Sequence, residues 1–194
     1  MKTLLLNPPA MNTIVANNPP LIDEERGYNP PLGLLYLAAV ARENGYSVRV
    51  LDAQVGGMGY ERIEEYIGKE KPDVVGITCM TLTLPDVLRS IKVVKNAVPQ
   101  AKIILGGPHP HIYPEETLNL SEVDFVVLGE GEEIFPQLLE RIEQGKEPDD
   151  IPGVGWKKNG DSIVNPFQGY IEAVSYTHLR AHETRHDLVC RLLL

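Results

Sequence analysis

Residues 73–106 read DVVGITCMTLTLPDVLRSIKVVKNAVPQAKIILG. Two short apolar runs rich in β-branched residues, 73–79 and 102–106, flank a segment in which Leu84, Val87, Leu88 and Ile91 follow helical spacing. The runs do not alternate polar and apolar residues, as expected of strands covered on both faces in a parallel sheet. Strand, helix and strand in that order make a crossover unit, which is right-handed when the strands are parallel. The same unit recurs on both sides. KTLLLN (2–7), SVRVLD (47–52) and DFVVLG (124–129) are further strand-like runs. Leu32, Leu35, Tyr36, Ala39 and Val40 predict the buried stripe of a helix entered through Pro30-Pro31 and closed by Asn44-Gly45. A second helix is expected over about 59–69, and a last one with Phe135, Leu138, Leu139 and Ile142 on one face. Five such units within residues 2–145 predict an α/β fold. The expected architecture is a doubly wound, five-stranded parallel sheet of flavodoxin-like order 2-1-3-4-5. GVGWKKNGDSIVNP (153–166), two short runs around Asn159-Gly160, then reads as a short β-hairpin.

The chain has 194 residues, 43% hydrophobic and 23% charged, enough for one domain with a sizeable core. A net charge of −9 without a Lys/Arg cluster argues against nucleic acid, which needs a basic face to displace counterions. The longest apolar runs fall far short of the roughly 20 residues of a membrane span, and Pro8-Pro9 interrupts the only leader-like start, so a cytoplasmic location is expected. Two cysteines, Cys79 and Cys190, make no disulfide framework.

From Val174 the character changes to VSYTHLRAHETRHDLVCRLLL. His178, His182 and His186 lie at i, i+4 and i+8, a spacing that mimics metal ligands on a helix. The whole string, however, resembles the conceptual translation of a sequencing-library adapter, so residues 174–194 read as a non-native tail on the front part of a longer protein. Without them the net charge is −10 and Cys79 is the only cysteine. The expected organisation is 1–150 as a Rossmann-like domain, 151–173 as the hairpin and the start of a linker, and 174–194 as the tail.

Ligands of such sheets bind beyond the carboxyl ends of the strands, and the unusual residues fall there. The first strand leaves through Asn7 and Pro8 into a connection of 23 residues, 8–30. That is long for a βα loop, and the segment is either ordered by a ligand or partner or a floppy insertion. No glycine-rich dinucleotide fingerprint follows it. The third strand ends in Thr78-Cys79-Met80-Thr81, with Thr83 beyond; these hydroxyls suit either a polar ligand group or the cap of the next helix. The fourth ends in Gly106-Gly107-Pro108-His109-Pro110-His111. With no Cβ at the glycines, a planar ligand or a nucleotide tail can lie against the backbone. No other native histidine completes a metal site with His109 and His111, so half-buried histidines bonded to backbone are expected, and no metal ligands. The fifth ends in Gly129-Glu130-Gly131-Glu132-Glu133. Helix-dipole preference accounts for Glu132 and Glu133, whereas Glu130 between two glycines suits a ligand or partner contact.

Taken together, LLLNPP, YNPPLGLLYLAAVARENGYSVRVLDA, VVGITCMT, KIILGGPHPHIYPEETL and VDFVVLGEGEE resemble the amino-terminal cobalamin-binding domain of cobalamin-dependent radical S-adenosylmethionine enzymes, the methyltransferases and the magnesium-protoporphyrin ester cyclases. The resemblance implies that a corrinoid tail enters between the first and third strands. Thr78-Cys79-Met80 stands where that family of domains has Ser-x-Leu, and Gly106-Gly107 matches its Gly-Gly. It implies as site residues Asn7, Pro8, Thr78, Cys79, Met80, Thr81, Gly106, Gly107, Pro108, His109, Gly129, Glu130 and Gly131, with cobalamin as cofactor and no catalytic residue of the chain's own. NPPAMN carries no histidine where other cobalamin domains supply a lower cobalt ligand. The CxxxCxxC of a [4Fe-4S] cluster is absent too, so the cluster, S-adenosylmethionine and their domain are expected downstream in the same protein. A non-catalytic flavodoxin-like binding or docking module, or a vestigial corrinoid site, are the alternatives. A receiver-type docking domain is disfavoured because NPPAMN and TCMT lack its acidic residues.

Overall fold

β-Branched and leucine runs too short for helices pair side by side, and the segments between them pack their apolar stripes on the resulting sheet. A computed structural model of the chain describes residues 1–14, 29–55 and 57–169. The parallel strands are β1 (Lys2–Asn7), β2 (Ser47–Asp52), β3 (Val74–Thr78), β4 (Lys102–Gly106) and β5 (Phe125–Val127). The helices are α1 (Leu32–Glu43), α2 (Tyr60–Glu70), α3 (Leu84–Ala97), the short α4 (Pro108–Ile112) and α5 (Pro114–Leu118), and α6 (Ile134–Gln144). The sheet order is β2-β1-β3-β4-β5, as expected, followed by the antiparallel hairpin β6 (Val154–Lys158) and β7 (Asp161–Val164). The hairpin continues the same sheet, since β6 pairs with β5 through Val126 opposite Gly155 and Phe125 opposite Trp156. Its turn residues Asn159 and Gly160 both have positive φ, which matches the twist of the strands.

Two apolar clusters cover the sheet. One contains Leu4, Leu6, Ile77 and Leu105 with the inner faces of α2 and α3; the other contains Leu5, Val74, Ile104 and Trp156 with those of α1 and α6. On α6, Phe135, Leu138 and Leu139 are buried and Ile142 packs beside them, as the periodicity predicts. On α3, Val87 and Ile91 are buried, but Asp86 and Ser90 share the inward face and leave Leu84 and Leu88 half-buried.

The stripe expected on α1 is corrected. Leu34, Ala38 and Ala41 are buried, while Leu32, Leu35 and Tyr36 are exposed at 62%, 42% and 45%. Leu34, Leu37, Ala38 and Ala41 also follow i, i+3, i+4, i+7, so two apolar stripes compete for the sheet. The two alanines let the helix lie close to Leu5 and Val48, which the bulkier stripe would prevent. The middle of connection 8–30 and the tail 174–194 with its histidines lie outside the described residues.

Candidate functional site

β1 lies between β2 and β3, so the chain leaves the sheet in opposite directions at β1 and β3 and a crevice opens at their carboxyl ends. A cavity of about 260 Å³ lies there, on the α1 and α6 side. Its floor and walls include Leu5, Ile104, Leu34, Leu37 and Phe135, and six glycines line it: Gly33, Gly76, Gly106, Gly107, Gly129 and Gly131. Among the described residues no Lys, Arg or His lines it, and Glu130 and Glu132 do. An apolar wall with exposed backbone and without a cation suits an uncharged planar group better than a phosphate.

Of the residues expected at the site, Thr78, Gly106, Gly107, Gly129, Glu130 and Gly131 line the cavity. The others do not line it. Asn7 donates from Nδ2 to Asp52 (2.9 Å) and, like the Pro8 carbonyl, accepts from Gln54 Nε2, which ties the ends of β1 and β2 together. Cys79 is fully buried in the opposite core cluster, where burial pushes its thiol up to about 12, so it stays protonated and unreactive. The Cys79 N–H donates to the Gly106 carbonyl (2.7 Å) and its own carbonyl accepts from His109 N–H (3.0 Å). Met80 and Thr81 stand exposed on the rim, and Pro108 opens α4.

His109 is buried, but its ring shares a hydrogen bond with Thr81 Oγ1 (3.1 Å from Nδ1) where a backbone partner was expected. His111 meets Phe167 edge-on, ring centres 5.1 Å apart. Thr83 does not cap α3 with its side chain; it bonds back to Met80 and closes the 3-10 turn Thr81–Thr83. Glu133 stands at the N-cap of α6 with Glu132 just before it, both near the positive end of the helix dipole, and Glu132 also lines the cavity.

The two glycines after β4 differ. A Cβ on Gly106 would meet only the Val127 carbonyl, at 3.9 Å. One on Gly107 would lie 3.0 Å from the Cys79 carbonyl, at a φ of +104° that side chains rarely adopt. Gly106 thus leaves room in the cavity, while Gly107 serves the backbone crossing between β3 and α4. Gly33, in the first turn of α1, has nothing within 4 Å of a would-be Cβ. Sequence reading missed Gly33, Gly76 and the apolar walls. Gly76 was discoverable, because a glycine inside an otherwise β-branched strand marks a close approach, here of Leu5, whose Cδ2 would lie 2.7 Å from a Cβ.

Comparison with known proteins agrees with this geometry. A family model described as B12 binding domain matches residues 20–139. The uncharacterized methyltransferase PH0819 of Pyrococcus horikoshii is 35% identical over 178 residues, 90% of this chain and 36% of that protein. The anaerobic magnesium-protoporphyrin IX monomethyl ester cyclase of Rubrivivax gelatinosus is 29% identical, over 77% of this chain and 28% of its own length. This chain therefore spans about a third of the curated relatives it matches. Among solved structures, the radical S-adenosylmethionine methyltransferase TsrM from Kitasatospora setae, with cobalamin and a [4Fe-4S] cluster bound, shares the fold at a TM-score of 0.70 and 20% identity, covering 87% of this chain and 30% of that one.

Proposed function

This chain belongs to the B12-binding domain family, and we propose that it is the cobalamin-binding module of a radical S-adenosylmethionine enzyme of the methyl-transfer or oxidative-cyclisation type. The observation that carries the reading is the glycine-lined, largely apolar cavity at the carboxyl ends of β1, β3, β4 and β5. Its open positions at Gly33 and Gly106 form a cradle that any Cβ would narrow, and its apolar walls suit the heteroaromatic base of a corrinoid tail. Gly106, Gly129 and Gly131 would bring backbone close to the tail, Thr78 would offer a hydroxyl, and Leu34, Leu37 and Phe135 would exclude water from it. Asn7, Pro8, Met80, Thr81 and His109 hold the surrounding rim. When bound, cobalamin supplies a methyl carrier or a redox centre next to radical chemistry. The described start of the β1–α1 connection, residues 8–14, carries no histidine, so the cobalt is read as lacking a protein imidazole below it. Residues 151–173 are read as leading towards a further domain that holds the [4Fe-4S] cluster and S-adenosylmethionine.

Titration of the chain with hydroxocobalamin, followed by visible absorption and equilibrium dialysis, tests the reading. Wild-type protein is expected to bind, and Gly106→Val to weaken binding about a hundredfold, the equivalent of about 2–3 kcal/mol, with its melting temperature little changed. Folded wild-type protein that fails to bind, or a Gly106→Val chain that binds as wild type does, would overturn it.

A further inference from the structure

Asp86, in the first turn of α3, is completely buried and has no ion-pair partner among the described residues. An acidic residue there ordinarily caps its own helix, yet α3 has no side-chain cap. The carboxylate faces across to the connection that leaves β1. Its Oδ2 accepts the Asn12 backbone N–H (2.8 Å), and its Oδ1 accepts both Asn12 Nδ2 (2.8 Å) and the Tyr60 hydroxyl. Asn12 Nδ2 also reaches the Tyr60 oxygen at 3.2 Å, and the Arg89 guanidinium lies 4.6 Å from the centre of the Tyr60 ring. Burial, then the Asp86 hydrogen bond and charge, push the Tyr60 hydroxyl up to about 12, so it remains a donor to Asp86. Two residues further on, the Ile14 N–H donates to the Leu82 carbonyl at 2.9 Å.

A buried carboxylate is costly unless every oxygen is satisfied, so this group holds Asn12 in one place and is left exposed to its desolvation cost if Asn12 departs. Through Tyr60 the clamp is anchored in the core, and through Asn12, an exposed loop residue, it reaches out to the surface. What it fixes is an apolar edge. Ile14, and Leu82 whose carbonyl it reaches, are exposed at 59% and 51%, and Met11 and Met80 of the same two segments at 65% and 49%. Met80 follows two residues after Thr78, which lines the cavity, so this edge continues the site outward. Large apolar side chains gathered at one edge mark a surface that is covered in use.

Resting on the function proposed above, we infer that Asp86, with Tyr60, is a positioning residue for the corrinoid: through Asn12 it holds the β1–α1 connection so that Met11 and Ile14 join Met80 and Leu82 as an apolar shelf for the macrocycle. Asn12→Asp, which sets a second carboxylate against Asp86, tests this in the full chain. Hydroxocobalamin affinity, measured at a temperature where the variant is fully folded, is expected to fall about tenfold or more, and the melting temperature to fall as well because the buried Asp86 loses an amide donor. The exchange Asn12→Asp with Asp86→Asn restores a complementary pair and is expected to recover affinity to within about threefold of wild type. Asn12→Ala supplies a second variant without an added charge and is expected to weaken binding in the same direction. Wild-type affinity in both Asn12→Asp and Asn12→Ala, or failure of the exchange to rescue a folded double variant, would overturn the positioning role while leaving the cobalamin reading standing. Wild-type chain that binds no cobalamin would overturn both.

Discussion

Gly107 is constrained by the backbone around it. Its φ of +104° and the Cys79 carbonyl 3.0 Å from a would-be Cβ mean that any side chain strains the crossing from β4 into α4. Gly107→Ala is therefore expected to destabilise the fold by about 1–3 kcal/mol whether or not cobalamin is present, as read by urea denaturation in both conditions. A loss seen only in affinity would contradict this assignment. The adjacent Gly106 differs, since a Cβ there would meet only the Val127 carbonyl, at 3.9 Å. Two adjacent glycines thus divide into one that serves the backbone and one that leaves space.

Among the elements, α1 is the one whose packing periodicity does not decide. Leu34 is 6% exposed against β1 and β2, while its neighbour Leu35 is 42% exposed. Leu34→Ala is expected to cost about 2–5 kcal/mol of stability and Leu35→Ala to stay within about 0.5 kcal/mol, measured by the same denaturation. The reverse order would return α1 to the stripe read from its sequence. The exposed stripe of Leu32, Leu35 and Tyr36 is then a surface feature of the domain and no part of its core.

At the scale of the molecule, the hairpin and the parallel sheet form one unit. Trp156 is the only tryptophan of the chain, 4% exposed on β6, and β6 is hydrogen-bonded to β5. Asn165 Nδ2 donates to the Pro148 and Ile151 carbonyls, both at 2.8 Å, and Phe167 packs within 2.3 Å of a would-be Cβ on Gly129. Unfolding followed by Trp156 fluorescence is therefore expected to coincide with unfolding followed by helical circular dichroism. Two separated transitions would show that the hairpin opens on its own. Among the described residues no helix is long and apolar enough to cross a membrane.

Strand positions, the order 2-1-3-4-5, the Asn-Gly hairpin and the glycines at the strand ends were legible in the sequence, because β-branching, periodicity and turn chemistry act over a few neighbouring residues. The family resemblance rested on those same strand-end motifs. Tertiary structure decided which of two apolar stripes of α1 goes inside, since close packing against Leu5 and Val48 favours the alanine-bearing one. It also decided which of Gly106 and Gly107 has room for a Cβ, because that depends on the direction of a Cβ vector relative to Cys79 and Val127. Asp86 and Asn12 lie 74 residues apart, and no local pattern links them. Only the sheet, by setting the start of α3 beside the exit of β1, brings a carboxylate to the amides that satisfy it.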